Sequence, residues 1–452
     1  MTLLISIAAF IVALGILVTV HEFGHFWVAR RCGVKVLRFS VGFGKPLFSF
    51  NRPNDPTDYV IAGIPLGGYV KMLDEAEGNV ADDEKHLAFN NKPLWSRFLI
   101  VLAGPVFNLA FALFAFWLIL IIGESGLKPV IGKLSDTGIA AHAGLEVGDE
   151  IVAINDRHTV IWRVTAGLMA SELLDSGSVT LSVKKSDGRQ DKVQLVLPLD
   201  NQFEPNDILT QIGISPLLPL LAPRIGDVMN GEPGDVAGLR RGDLILSVNQ
   251  QAIDTWGEWV ELTRSSPNAA MWVELLRKGN LLNLTVTPKA VMDEELSIGR
   301  IGVSPLIDPS INQRFYATYS LGLLPALGEA AIQTMSYSVL TVKMIGRMLI
   351  GDASIQNLSG PISLAQYAGQ TASIGLVSFL KFLAFVSVSL GVINLLPIPM
   401  LDGGHLFFYL IEAIKGRPVS DKAQAVFMRM GMLMLISMML LAVFVDLGRL
   451  VG

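Results

Sequence analysis

His21, Glu22 and His25 form the pattern H-E-x-x-H. On a helix, residues four apart share a face. The two imidazoles therefore converge on one zinc ion, with Glu22 beside them, placed to take a proton from an attacking water. The chain has six histidines, so chance matches to this pattern are expected on the order of 0.01 times or fewer. The motif extends an apolar run, Leu3 to Val20, that has no charge or proline and in which only Ser6 and Thr19 are polar. Phe26, Trp27, Val28 and Ala29 follow before Arg30. Ionisable groups inside a membrane span are costly and mark function by default. A surface helix with two stray histidines would leave three polar groups in lipid without a partner.

The elements that position this motif follow from composition. Of 452 residues, 51% are apolar and 17% charged, with mean hydropathy +0.50. Average soluble domains carry roughly 25% charged residues, so the chain is too poor in charge for a fully solvated surface. The apolar content excludes intrinsic disorder, and 43 Gly and 22 Pro without a short period exclude a collagen-like chain. A net charge of −5 and a pI of about 5.7 offer no basic surface for nucleic acid. The single cysteine, Cys32, excludes an intramolecular disulfide and a cysteine zinc cage.

The charge deficit is concentrated in four runs, read as four membrane spans. They are Leu3 to Val20, Phe98 to Gly123, the run after Lys381 that passes Leu401, Asp402 and His405 to Ile411, and Met430 to Val445. No Lys or Arg precedes Arg30, and His21-Glu22 stands where a small-residue cleavage site would be, so the first run is a retained span and not a signal peptide. Gly322 to Ile350 is apolar but carries Glu329, Lys343 and Arg347. It reads as an interfacial helix.

Arg30, Arg31, Lys35 and Arg38 follow the first span, Lys92 and Arg97 precede the second, and Lys415, Arg417, Lys422 and Arg429 lie between the third and fourth. These sides are cytoplasmic. The middle region is then outside, the periplasm of a Gram-negative-type cell. This region repeats itself at one offset of 94 residues: Ile131-Gly132 as Ile225-Gly226, Ala143-Gly144-Leu145 as Ala237-Gly238-Leu239, Gly148-Asp149 as Gly242-Asp243, Asn155 as Asn249, Trp162 as Trp256. "AGLEVGDEIVAIN" and "AGLRRGDLILSVN" read as loop, Gly-Asp turn and strand. Each unit resembles the PDZ domain, which binds peptide by adding a strand to a sheet edge.

Two histidines need a third protein ligand. His142 and His158 fall in the outer region and His86 in the polar "ADDEKH" segment, which leaves Asp402 and His405 in "NLLPIPMLDGGH". His21 lies nine residues before Arg30 and Asp402 ten before Glu412. Both therefore sit roughly 13–15 Å inside the cytoplasmic boundary if helical. A fifth crossing at 322–350 would reverse the third span and take Asp402 away from His21. Carboxylate and imidazole both suit zinc, so composition does not choose between Asp402 and His405.

H-E-x-x-H in the first span, "AGPVFN" at Ala103 to Asn108 in the second and "LDG" at Leu401 to Gly403 in a later one resemble the site-2 protease family of intramembrane zinc metalloproteases. The paired PDZ-like units and "NLSGPISLA" at Asn357 to Ala365 resemble its regulator-of-sigma-E branch. The likeness covers essentially the whole chain, with the motifs in the same order.

This resemblance implies zinc as cofactor, His21, His25 and Asp402 as its ligands, and Glu22 as general base. It also implies that Asn394 contacts the substrate backbone, beside Pro397 and Pro399, which break the helix. Asn108 would face the same centre. "FSVGFG" and "IAGIPLGGYVKM", within Val36 to Met72, read as short strands joined by Gly and Pro turns. The family implies a re-entrant hairpin whose edge holds unwound substrate at Gly67, Gly68 and Tyr69. Substrates would be single-span membrane proteins of the anti-sigma-factor type, trimmed beforehand on their outer side, and remnant signal peptides, in envelope stress signalling.

The expected organisation is a multi-pass α-helical membrane protein with tandem PDZ-like α+β domains. A first span covers 1–30, a cytoplasmic-side loop with the hairpin 31–97, and a second span 98–123. PDZ-like domains cover 127–222 and 223–310, interfacial helices 311–375, a third span 376–412 and a fourth 427–448. The expected setting is a bacterial inner membrane, with the zinc site toward the cytoplasmic side. The alternative is a non-catalytic PDZ-bearing membrane scaffold or chaperone, against which the intact Glu22 argues. A metal transporter predicts more intramembrane acids than this chain has.

Overall fold

The computed structural model describes residues 2–53, 55–76, 78–197, 208–293, 296–306, 311, 314–350 and 360–451. The start of the "NLSGPISLA" segment, Asn357 to Ser359, lies outside them. The chain divides into two compact units, residues 1–123 with 320–451, and residues 124–319.

The first unit is built on helices α1 (Thr2–Arg31), α2 (Leu94–Ile122), α3 (Leu323–Ile350), α4 (Pro361–Ile374), α5 (Leu376–Leu395), α6 (Asp402–Lys415) and α7 (Asp421–Val451). Among the described residues, four segments are long and apolar enough to cross a membrane: Leu4–Arg31, Leu94–Ile122, Leu376–Leu395 and Lys422–Asp446. The protein is a multi-pass α-helical membrane protein with a β-rich tandem insert. The third apolar run is not one continuous helix. It stops at Leu395, passes non-helically through Pro397 and Pro399, and resumes at Asp402, so "LDG" opens a helix of its own. Proline removes a backbone donor and clashes with the preceding turn, which accounts for the break.

α3 runs across α2 instead of alongside it. Trp117 donates its indole N–H to the Leu323 carbonyl at 2.9 Å, while the Tyr337 ring meets Phe116 at 5.5 Å and Phe385 at 4.5 Å. Leu323 and Tyr337 are roughly 21 Å apart along a helix, yet both reach adjacent residues of α2.

At the other end of the bundle Arg97 of α2 grips Glu412 of α6 through both carboxylate oxygens, at 2.6 and 3.3 Å. α7 is tied to α4 by Asp446, which is buried and accepts from the Gly360, Ile362 and Ser363 amides at 2.9–3.1 Å and from the Ser363 hydroxyl at 2.5 Å. The carboxylate thereby satisfies the orphan N–H groups at the start of α4.

β1 (Val36–Asn51) and β2 (Asp58–Met72) each bend back on themselves and pair, antiparallel at 38–41 with 68–71 and at 46–51 with 58–62, and in parallel register at 38–41 with 58–61. Residues 38–41 lie between 58–61 and 68–71, and 46–51 pair with 58–62. The two long strands thus make a four-ply sheet, where the sequence suggested several short strands. Gly68–Met72 is one edge. Phe26, Ala29, Val34, Val36 and Ile100 form the core that seats the sheet on α1 and α2. Phe43, Leu47, Phe48, Ile61 and Ile64 project unburied from it.

The second unit repeats one plan twice. Arg157–His158, Glu150–Ile154, Ser178–Lys184 and Gln190–Val196 form one four-stranded sheet in that order. Gln251–Ala252, Leu244–Val248, Met271–Arg277 and Asn280–Val286 form its counterpart. Helices Trp162–Ser176 and Trp256–Arg264 pack on the respective cores. In each repeat the turn aspartate is buried and ion-paired: Asp149 to Lys185 at 2.9 Å, Asp243 to Arg277 at 2.7 Å. At the unit's ends, Glu124–Leu127 pairs with Tyr316–Tyr319.

Candidate metal centre

α1 carries its two histidines on one face, as the i, i+4 spacing requires. Their rings are 4.8 Å apart and nearly perpendicular. His25 Nε2 lies 3.2 Å from His21 Nε2. Asp402 Oδ2 is 3.2 Å from the former His21 atom and 3.5 Å from His25 Nε2. Asp402 is the first residue of α6, where the helix dipole favours a carboxylate.

These three atoms fit zinc. A tetrahedral site with ligand bonds near 2.1 Å holds its ligand atoms roughly 3.3–3.5 Å apart, close to the 3.2, 3.2 and 3.5 Å found. Asp402 Oδ2 is buried and receives no hydrogen bond among the described residues. Two imidazole nitrogens and an unsatisfied carboxylate oxygen facing one another are a donor set for a cation. His405, one turn further along α6, is not in the cluster, whose members are His21, His25 and Asp402.

α2 forms the wall behind the histidines. The Ile100 carbonyl lies 2.8 Å from His25 Nδ1 and accepts its proton, leaving Nε2 free to ligate. The Asn108 side-chain Nδ2 lies 3.2 Å from His21 Nδ1. Gly104 comes so close that a Cβ there would collide with both imidazoles, so only glycine allows α2 this approach. Gly104-Pro105 lies within "AGPVFN", a motif that carries the family resemblance, but its contact with the two imidazoles is not visible in the motif. A backbone carbonyl such as Ile100 leaves no signal in a sequence.

The sheet closes the side nearest Glu22. A Cβ on Gly68 would lie 2.7 Å from the Ser40 carbonyl oxygen and 3.1 Å from Glu22 Cγ. Gly67 has φ +121° and faces the Phe43 ring, and that ring stacks on Tyr69 at 6.1 Å. Tyr69 also accepts a 3.5 Å hydrogen bond from Arg38. Gly68 therefore touches the motif directly, whereas Gly67 and Tyr69 shape the bend beside it. Asn394 sits half-buried in the last turn of α5 and Pro397 lies exposed in the break. Neither makes a side-chain hydrogen bond to the His–Asp cluster among the described residues.

The family model "Peptidase family M50" matches residues 9–438. The chain is 44% identical over 453 residues to the regulator of sigma-E protease RseP of Escherichia coli, covering 98% of this chain and 99% of that one. It is 38% identical over 454 residues to the regulator of sigma E protease of Haemophilus influenzae, covering 100% of both. A Vibrio cholerae protein whose name assigns it to the zinc metalloproteases is 43% identical over 450 residues, 98% of each chain.

Proposed function

Because this chain belongs to peptidase family M50, the site-2 intramembrane zinc metalloproteases, we propose that it cleaves single-span membrane proteins of the anti-sigma-factor type, and remnant signal peptides, after their outer parts have been trimmed. The relatives named as proteases that regulate sigma E support this choice of substrate, and they leave the scaffold reading without support. The observation that carries the proposal is the convergence of His21, His25 and Asp402 at zinc-ligand spacing, within an apolar helix that also carries Glu22.

His21 Nε2, His25 Nε2 and Asp402 Oδ2 would hold the zinc. When bound, it supplies Lewis acidity toward the scissile carbonyl and the attacking water. Glu22 takes a proton from that water as its oxygen adds to the carbonyl carbon. It returns the proton to the amide nitrogen as the C–N bond breaks. A transmembrane helix hides its peptide bonds in i to i−4 pairs, so the reacting segment must unwind. The Gly68–Met72 edge is placed to hold it extended by strand addition, and Asn394 to meet its backbone. The exposed apolar tip of the sheet supports its re-entry into the bilayer.

Lys and Arg placement supports a periplasmic tandem PDZ-like unit and a zinc site toward the cytoplasm of an inner membrane. There the tandem unit would hinder bulky outer domains. Glu22→Gln in the full-length protein tests the chemistry. Zinc content is expected to stay at parent level while cleavage of a transmembrane substrate falls about 10²–10⁴-fold. Undiminished turnover removes Glu22 from the role of base.

A further inference from the structure

We infer that Asn108 is a positioning residue whose side-chain oxygen accepts the Nδ1 proton of His21 and so fixes the tautomer in which Nε2 ligates zinc. The inference rests on the zinc-ligand reading above. An imidazole that gives its Nε2 lone pair to a cation carries its remaining proton on Nδ1, and that proton needs an acceptor. His25 has one in the Ile100 carbonyl, at 2.8 Å. The Asn108 side chain meets His21 Nδ1 with its Nδ2, at 3.2 Å, and a half-turn of that side-chain amide puts Oδ1 in the same place. Its two ends have the same shape, and only the oxygen can accept an N–H, so ligation by His21 selects the oxygen.

Two further facts point the same way. Asn108 is 1% exposed, and its Oδ1 is buried with no hydrogen-bond partner among the described residues. An unmatched buried oxygen is unfavourable, and turning the amide gives it the His21 Nδ1 proton. Second, helix packing here uses the main chain. The Ser387 hydroxyl of α5 donates to the Asn108 backbone oxygen at 2.8 Å, a bond that any residue at 108 keeps. The side chain is left for His21.

The experiment measures zinc affinity by chelator competition on full-length protein in lipid nanodiscs, for the parent, Asn108→Leu, Asn108→Asp and His21→Ala. Asn108→Leu retains the Ser387 contact but loses the acceptor, and should bind zinc about 10–100-fold more weakly. Asn108→Asp keeps an acceptor oxygen and should stay within a few-fold of the parent. A parent-like affinity in Asn108→Leu, with only KM for substrate raised, overturns the inference and makes Asn108 a substrate contact. Equal weakening in the Leu and Asp variants also overturns it, because packing would then be the role. His21→Ala isolates the premise. Loss of zinc in that variant upholds the ligand set, and retained affinity removes His21 from it and the inference with it.

Discussion

In the inserted unit, Asp149 and Asp243 are each 1% exposed, and each meets a cation supplied by its own repeat. Arg277 grips Asp243 with two nitrogens at 2.7 Å, and the Arg240 amide adds a third bond. In the membrane unit Asp446 is equally buried and is satisfied by the amides that open α4. Asp402 is different. Its side chain is 19% exposed, its neighbours are two imidazoles, and its Oδ2 receives no hydrogen bond among the described residues. A buried charge must be paired or bind a metal. The acids that are matched internally hold the scaffold, and the acid matched only by groups that themselves want a cation marks the proposed zinc centre.

The contrast can be broken by substitution, beginning with the largest effect. Asp402→Asn removes the proposed anionic ligand. Zinc content should collapse and turnover should fall to background, while hydrogen exchange across α1 and α2 stays native. Retained zinc would make Asp402 another scaffold acid. Asp243→Ala should do the reverse. It strands Arg277 and should destabilise the second repeat by about 3–5 kcal/mol, seen as faster amide exchange at 244–277 with zinc content unchanged. Asp149→Ala should cost less, since Lys185 offers a single nitrogen.

The smallest effect concerns Asp55, where the sheet meets α1. Burial pushes this carboxyl up, but the Thr57 amide and hydroxyl, the Arg30 guanidinium and the Tyr59 hydroxyl outweigh it and hold the pKa at about 2. A lowered folded pKa contributes stability that is complete above the ordinary carboxylate range and is lost as pH falls through about 2. Protection of β2 amides should therefore not change between pH 8 and pH 5. Asp55→Asn should weaken it at every pH in that range, by up to about 1 kcal/mol, since Arg30 is 44% exposed.

Much of this was legible in the sequence. H-E-x-x-H needs only helical spacing, and the four spans need only a hydropathy count. The 94-residue repeat exposes itself at Gly148-Asp149 and Gly242-Asp243. The partner of each aspartate does not, because Lys185 and Arg277 are 92 residues apart and differ in type. The choice of Asp402 over His405 is likewise a matter of which face of α6 points at α1, and residue type is silent on that. Gly104 and the Ile100 carbonyl act through close approach of backbone, which composition does not record. The four-ply sheet was hidden because Gly42, Gly44 and Gly67 bend strands that pattern reading takes to end there.

The pairing of Glu124–Leu127 with Tyr316–Tyr319 has a consequence for how such a chain is assembled. Closing a flexible loop of about 200 residues would cost the helices roughly 3–4 kcal/mol more chain entropy than closing a tight turn of four. The insert brings its own two ends together, so for the membrane helices it counts as a turn. Cassettes whose ends meet can be gained, lost or exchanged during descent without retuning the fold that hosts them. A catalytic bundle of this kind can therefore keep its chemistry while its extramembrane accessory changes.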